Sequence, residues 1–131
     1  MIEIVKNRFN GSIYDVGLDA GKEVDIINSY GYGNIEYKSV NNASPSNIED
    51  SLSRNYPIYG VFYNNSNNFK NHAAVVYGCM INNSTNEMTY INVMDPTDGD
   101  FYVVYKTSSG FTYTNTKCNE KLTLGIMTVK K

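Results

Sequence analysis

The sequence predicts an α+β fold: an antiparallel, half-barrel-like β-sheet with one or two short helices toward its N-terminal end. Two observations carry this reading. Helical periodicity is confined to the stretch before Asn55, and the apolar runs after it are short, β-branched or aromatic, and separated by Asn, Ser, Gly and Asp. Helices early and strands late argue for segregated layers rather than alternating βαβ units. At 131 residues the chain is one domain, spanning residues 1–131.

In chain order, Ile2–Val5 predicts a short strand and Asn7–Gly17 a loop. Leu18, Val24, Ile26 and Ile27 suggest an amphipathic helix within Leu18–Tyr30, with Asp19 and Glu23 near the favourable N-terminal end and Gly31 as the stop. Gly21 moves the start toward Lys22. Ile35–Val40 alternates as a half-buried strand. Ser46 and Glu49 have capping-box spacing, and Ile48 and Leu52 stack at i, i+4, which predicts a second short helix ending near Asn55. Strands follow at Ile58–Tyr63, Phe101–Tyr105, Phe111–Thr114 and Leu122–Val129, with turns at Thr97–Asp100 and Ser108–Gly110.

The most informative stretch is Asn71–Asp95. Two apolar runs, His72–Met80 and Glu87–Asp95, flank the polar cluster Ile81–Asn86 and read as an antiparallel hairpin. Centring the turn on that cluster sets Ala74 opposite Val93, Val76 opposite Ile91, and His72 opposite Asp95. Directly opposed residues have Cβ atoms about 4.5–5.5 Å apart, within reach of an imidazole–carboxylate hydrogen bond. Pro96 then ends the strand, because it has no N–H for the ladder. Both faces of this hairpin are largely apolar, which predicts that both are covered.

Composition excludes several function classes. Net charge is −2 with no basic cluster, which disfavours electrostatic nucleic-acid binding. No apolar run approaches the roughly 18–20 residues of a membrane span. Met1–Asn10 lacks the apolar core of a signal peptide, so either secretion is not intended or a leader lies upstream. One histidine and two cysteines, Cys79 and Cys118, give poor support for a zinc site. A single disulfide between them stays open, and no cofactor is implied. The Asn-, Tyr-, Ile- and Lys-rich usage suggests a low-GC bacterial source.

A histidine held by a carboxylate is a general base with a defined tautomer, the device that activates nucleophiles in thiol and serine hydrolases. The plainer alternative is a strand-end histidine meeting an incidental aspartate. The ordered series Ile48-Glu49-Asp50-Ser51-Leu52, Asn55-Tyr56-Pro57-Ile58, His72-Ala73-Ala74-Val75-Val76-Tyr77-Gly78 and Val93-Met94-Asp95-Pro96 resembles the C-terminal part of papain-like cysteine peptidases. The resemblance is to the bacterial, staphopain-like members and covers Asp25–Tyr113. It implies a papain-like C-terminal lobe, with His72 as catalytic histidine and Asp95 as the residue that orients it. It further implies a peptide or protein substrate, an extracellular or cell-surface bacterial location, and a partner that completes the site: an N-terminal lobe or a second copy.

Departures from the family pattern bear on activity. The family's nucleophilic cysteine and a glutamine before it lie N-terminal to everything matched, yet this chain has no cysteine before Cys79 and no glutamine. Tyr77-Gly78 also inverts the family's glycine–tyrosine order. Cys79 is about 23 Å along the strand from His72, with odd spacing that predicts the opposite face, where it reads as a core thiol. Cys118, between Lys117 and Lys121, is a remote candidate. The expectation is therefore a chain inactive by itself; the alternative is a non-catalytic peptide- or partner-binding α+β module.

Overall fold

The computed structural model describes Asp25, Asn28, Ser29 and residues 35–39, 44–65, 71–117 and 119–130. Its seven strands are β1 (Ile35–Ser39), β2 (Ile58–Asn64), β3 (Asn71–Asn82), β4 (Glu87–Met94), β5 (Phe101–Thr107), β6 (Gly110–Asn115) and β7 (Glu120–Lys130). One helix, α1 (Pro45–Ser53), lies between β1 and β2. All strand pairings are antiparallel, and the expected strand at Ile2–Val5 falls outside the described residues.

The sheet order β7-β2-β3-β4-β5-β6 returns to β7, so six strands close into a barrel. β7 makes closure possible because it is long enough to serve three neighbours. One edge pairs with β2, while the other pairs with β6 through Glu120–Thr123 and with β1 through Ile126–Lys130. This corrects the expected α+β papain-like lobe: the described chain is mostly antiparallel β, in a closed barrel with little helix. The physical reason is that pairing of the last strand with β6 removes the open sheet edges.

The barrel interior is filled by Ile58 and Phe62 from β2, Ala74 and Val76 from β3, Ile91 and Val93 from β4, Val104 from β5 and Leu122, Leu124, Met127 and Val129 from β7. α1 packs on β2, β3 and β7 and sets Ile48 into this core. Its start differs from the expected Ser46 capping box. Ser44 is the N-cap, with its Oγ accepting from Asn47 N–H, and Asn47 Oδ1 accepts from Ser44 N–H in return. Pro45 takes the first helical position, where its missing N–H costs nothing. Of the earlier predicted helix, Asp25, Asn28 and Ser29 are described and helical. The Asn28 side chain brackets Ile35, donating to its carbonyl at 2.7 Å and accepting from its N–H at 2.9 Å.

The β3–β4 hairpin forms, but two to three residues out of the expected register. Val76 lies opposite Val93, Cys79 opposite Ile91 and Met80 opposite Tyr90. The turn occupies Asn83–Asn86, displaced toward β4. Asn82 Oδ1 accepts from Ser84 N–H, and Asn86 adopts φ +54°, a left-handed conformation that asparagine tolerates. A bulge between Val76 and Gly78 leaves Tyr77 as an extra residue on β3, and the shift between Met80 and Ile81 leaves Thr89 as an extra residue on β4. Nor are both faces covered. On the outside of β3 and β5, Tyr77, Met80, Phe101, Val103 and Tyr105 are exposed, with Tyr77 set edge-to-face on Phe101 at 5.6 Å.

Candidate functional site

His72 opens β3 opposite Phe62 of β2, on the same inward-facing set as Ala74 and Val76. That places the imidazole at the rim of the barrel, with 18% of the side chain exposed. Asp95 directly follows β4 and is completely buried. In the observed register it does not face His72 squarely; it approaches diagonally, from beyond the last paired residues Val75 and Met94. Diagonal neighbours are still within reach of a long side chain. His72 Nε2 and Asp95 Oδ1 are 2.8 Å apart.

Backbone turns hold Asp95 in place. Its N–H donates to Asp100 O at 3.0 Å, and its carbonyl accepts from Gly99 N–H at 2.8 Å. Gly99 adopts φ +74°, where a glycine avoids the Cβ penalty. The carboxylate is surrounded by donors. Oδ1 accepts from Thr97 N–H at 3.0 Å, and Oδ2 accepts from the Tyr113 hydroxyl at 2.8 Å and from Asn115 Nδ2 at 2.6 Å. Burial pushes the Asp95 pKa up. The hydrogen bonds from Thr97, Tyr113, Asn115 and His72 outweigh it, and the carboxyl ends at about 2.

Chemical consequences follow from that ionisation. A carboxylate only accepts, so His72 Nε2 must carry the proton it shares with Asp95. In the neutral form of the ring the lone pair is on Nδ1, which has no hydrogen-bond partner among the described residues. The pair thus presents a basic nitrogen at the barrel rim with a carboxylate behind it, ready to stabilise the imidazolium.

Tyr113 and Asn115 were not singled out from the sequence. They stand at alternate positions of β6, on the inward set begun by Phe111. Asparagine at a core-facing strand position is the signal that was available, since a buried amide needs a partner. The Asn115 amide is oriented from its other side: Oδ1 accepts from Lys117 N–H at 2.9 Å, which turns Nδ2 toward Asp95. The Tyr113 ring is wedged between Phe62 at 5.3 Å and Tyr102 at 4.8 Å. Burial and the Asp95 acceptor raise the Tyr113 pKa far above the usual phenol range, so its hydroxyl remains a donor.

Beside this core lies a second acidic group. Asp98 Oδ2 accepts from the Tyr102 hydroxyl and from Thr116 Oγ1, and the Tyr102 bond in particular lowers the Asp98 pKa. Lys117 Nζ donates to Thr97 O at 3.2 Å, which ties the β6–β7 turn to the Asp95 turn.

The structure does not bring Cys79 to His72. The bulge at Tyr77 and Gly78 reverses the alternation along β3, so Cys79, opposite the buried Ile91, packs against the core instead of the opposite face. Its thiol is free, and burial, with a contribution from Glu49, raises its pKa. Cys118 lies outside the described residues. Among the described residues no group of three or more His, Cys, Asp or Glu side chains could hold a metal, and no helix is long and apolar enough to cross a membrane. No protein-family model matches the chain, and comparison with curated proteins finds no match.

Proposed function

We propose that His72 and Asp95 are the base and its orienting carboxylate in a cysteine-type peptide hydrolase, with the attacking thiolate supplied by another polypeptide segment. The observation that carries this reading is the 2.8 Å bond between a rim-exposed imidazole and a buried, ionised carboxylate. The papain-like order of motifs around His72 and Asp95 supports the choice of peptide as substrate.

In that reaction Nδ1 of His72 takes the proton of the thiol as sulfur attacks the carbonyl carbon. Asp95 stabilises the resulting imidazolium through Nε2–H. As the C–N bond breaks, Nδ1–H passes the proton to the leaving amine, and water then hydrolyses the thioester. Among the described residues the thiol, Cys79, packs against the core with its pKa raised, so the chain alone is expected to leave peptide bonds intact.

The base function is testable without the missing partner. A small external thiol, such as mercaptoethanol, is offered with an activated ester in the presence of the full chain. Thiolysis faster than with His72→Ala by about tenfold or more is expected, since positioned general bases contribute roughly 10²–10⁴. Equal rates would overturn the proposal.

The second reading, a non-catalytic binding module, draws on the exposed strip of Tyr77, Phe101, Val103 and Tyr105. It predicts that His72→Ala changes nothing in the thiolysis assay, while Phe101→Ser weakens capture of a peptide or protein ligand.

A further inference from the structure

We propose that Tyr113 and Asn115 are positioning residues that determine which nitrogen of His72 is the base. This rests on the hydrolase reading for its catalytic meaning, but the geometry concerns the dyad itself. An ionised carboxylate has about four acceptor sites. Those of Asp95 are all taken: Thr97 N–H and His72 Nε2 on Oδ1, Tyr113 Oη and Asn115 Nδ2 on Oδ2.

Three of the four partners can be assigned as donors from their own surroundings. Thr97 offers a backbone N–H. Asn115 must present its NH₂, because its oxygen is engaged by Lys117 N–H. The Tyr113 hydroxyl points at the carboxylate from a ring clamped by Phe62 and Tyr102. A carboxyl proton on Oδ2 would therefore meet the Asn115 NH₂ and displace the Tyr113 hydroxyl, while one on Oδ1 would meet Thr97 N–H or His72. The ionised carboxylate is the form that accepts from all four partners at once.

The donors on Oδ2 also stop the carboxylate from rotating. If Oδ2 were free, the group could turn and offer His72 either oxygen at a range of angles. Held at both oxygens, it offers Oδ1 alone, along a fixed line to Nε2. The ring is then committed to the Nε2–H tautomer with Nδ1 basic and outward. β6 thus sets the tautomer of a residue on β3 through a carboxylate on the β4–β5 connection.

The experiment uses the fact that His72 is the only histidine. In the full chain labelled with ¹⁵N-histidine, long-range ¹H–¹⁵N spectra report the tautomer of this single ring. Wild type is expected to show one tautomer at neutral to mildly basic pH, with Nε2 protonated and Nδ1 bare. Tyr113→Phe, which keeps the ring packing, and Asn115→Ala are expected to admit the second tautomer to a fraction of a tenth or more, with thiolysis falling in step. Thr112→Val, next to Tyr113 on β6, serves as control: it breaks the 2.8 Å hydroxyl contact to Thr123 of β7 without touching Asp95, and should leave the His72 spectrum unchanged.

A mixed tautomer in wild type overturns the inference outright. So does a wild-type spectrum retained in folded Tyr113→Phe; should Asn115→Ala fail to fold, that variant decides alone. If the spectra behave as expected while wild type gives no thiolysis advantage over His72→Ala, the positioning network stands and the hydrolase reading falls.

Discussion

Asp95 and His72 meet across the end of the β3–β4 hairpin at 2.8 Å, although they are not opposed in its register. The contact depends on where the chain turns after Met94. Asp95 leaves the ladder there, and its N–H and carbonyl are retained by Asp100 and Gly99. The carboxylate is then free to aim diagonally at His72 while the barrel seals it from water.

This carboxylate makes acid stability a direct readout of the network. Asp95 has a folded pKa of about 2 against an ordinary 3.8, so folding favours its ionised form. Its contribution is fully present above about pH 4 and is lost as the pH falls through about 2. The difference is worth about 2 kcal/mol. Urea unfolding of wild type between pH 6 and pH 2 should show this loss on top of that from other carboxylates. Asp95→Asn should be less stable at pH 6 and should lack that component of the acid limb. An acid limb identical to wild type would show that another group is responsible.

The start of α1 offers a simpler test of local structure. Ser44 and Asn47 satisfy each other's backbone N–H groups, the reciprocal arrangement that ends a helix cleanly. Ser44→Ala removes the side-chain acceptor for Asn47 N–H, leaving the Ser44 carbonyl, and should cost about 1 kcal/mol by chemical denaturation. Ser46→Ala should cost less, because Ser46 is not the cap. A larger loss at Ser46 would contradict the observed helix start.

Gly125 marks the one place where β7 must lack a side chain. It sits at the register shift where Val61 pairs with Ile126 and Phe62 with Leu124, and a Cβ on it would run into the Tyr63 ring. Tyr63 is partly exposed, so the ring can swing away at the cost of its packing. Gly125→Ala should destabilise by about 1–3 kcal/mol. In a Tyr63→Ala background most of that cost should disappear, a non-additivity expected of residues in contact. Additive losses would place the strain in the backbone instead.

Much of this architecture was legible as a list of strands, because Asn, Gly and Asp punctuate the apolar runs. The hairpin and the His72–Asp95 pairing were also legible. The register was not, since the polar cluster does not say that Asn86 takes the left-handed position and displaces the turn toward β4. Bulges are equally hidden, and the one at Tyr77 and Gly78 puts Cys79, expected as a core thiol on the face opposite His72, on the inward side with Val76. Barrel closure depends on β7 being shared among β1, β2 and β6, which no local pattern records. For the same reason Tyr113 and Asn115, 18 and 20 residues beyond Asp95, could not be assigned to it from alternation alone.

Cys79 provides the sharpest check on where the nucleophile is not. Its thiol is part-buried against the core, and burial first, then the charge of Glu49, raises its pKa. A raised pKa means less thiolate at neutral pH and slower attack on an alkylating reagent. In a Cys118→Ser background Cys79 is the only thiol. Iodoacetamide should modify it much more slowly at pH 7 than the same protein in urea, as followed by intact mass. Glu49→Gln should speed the reaction slightly by removing the nearby negative charge. Modification as fast as in urea would mean an accessible, reactive thiolate, and Cys79 would re-enter consideration as the attacking group.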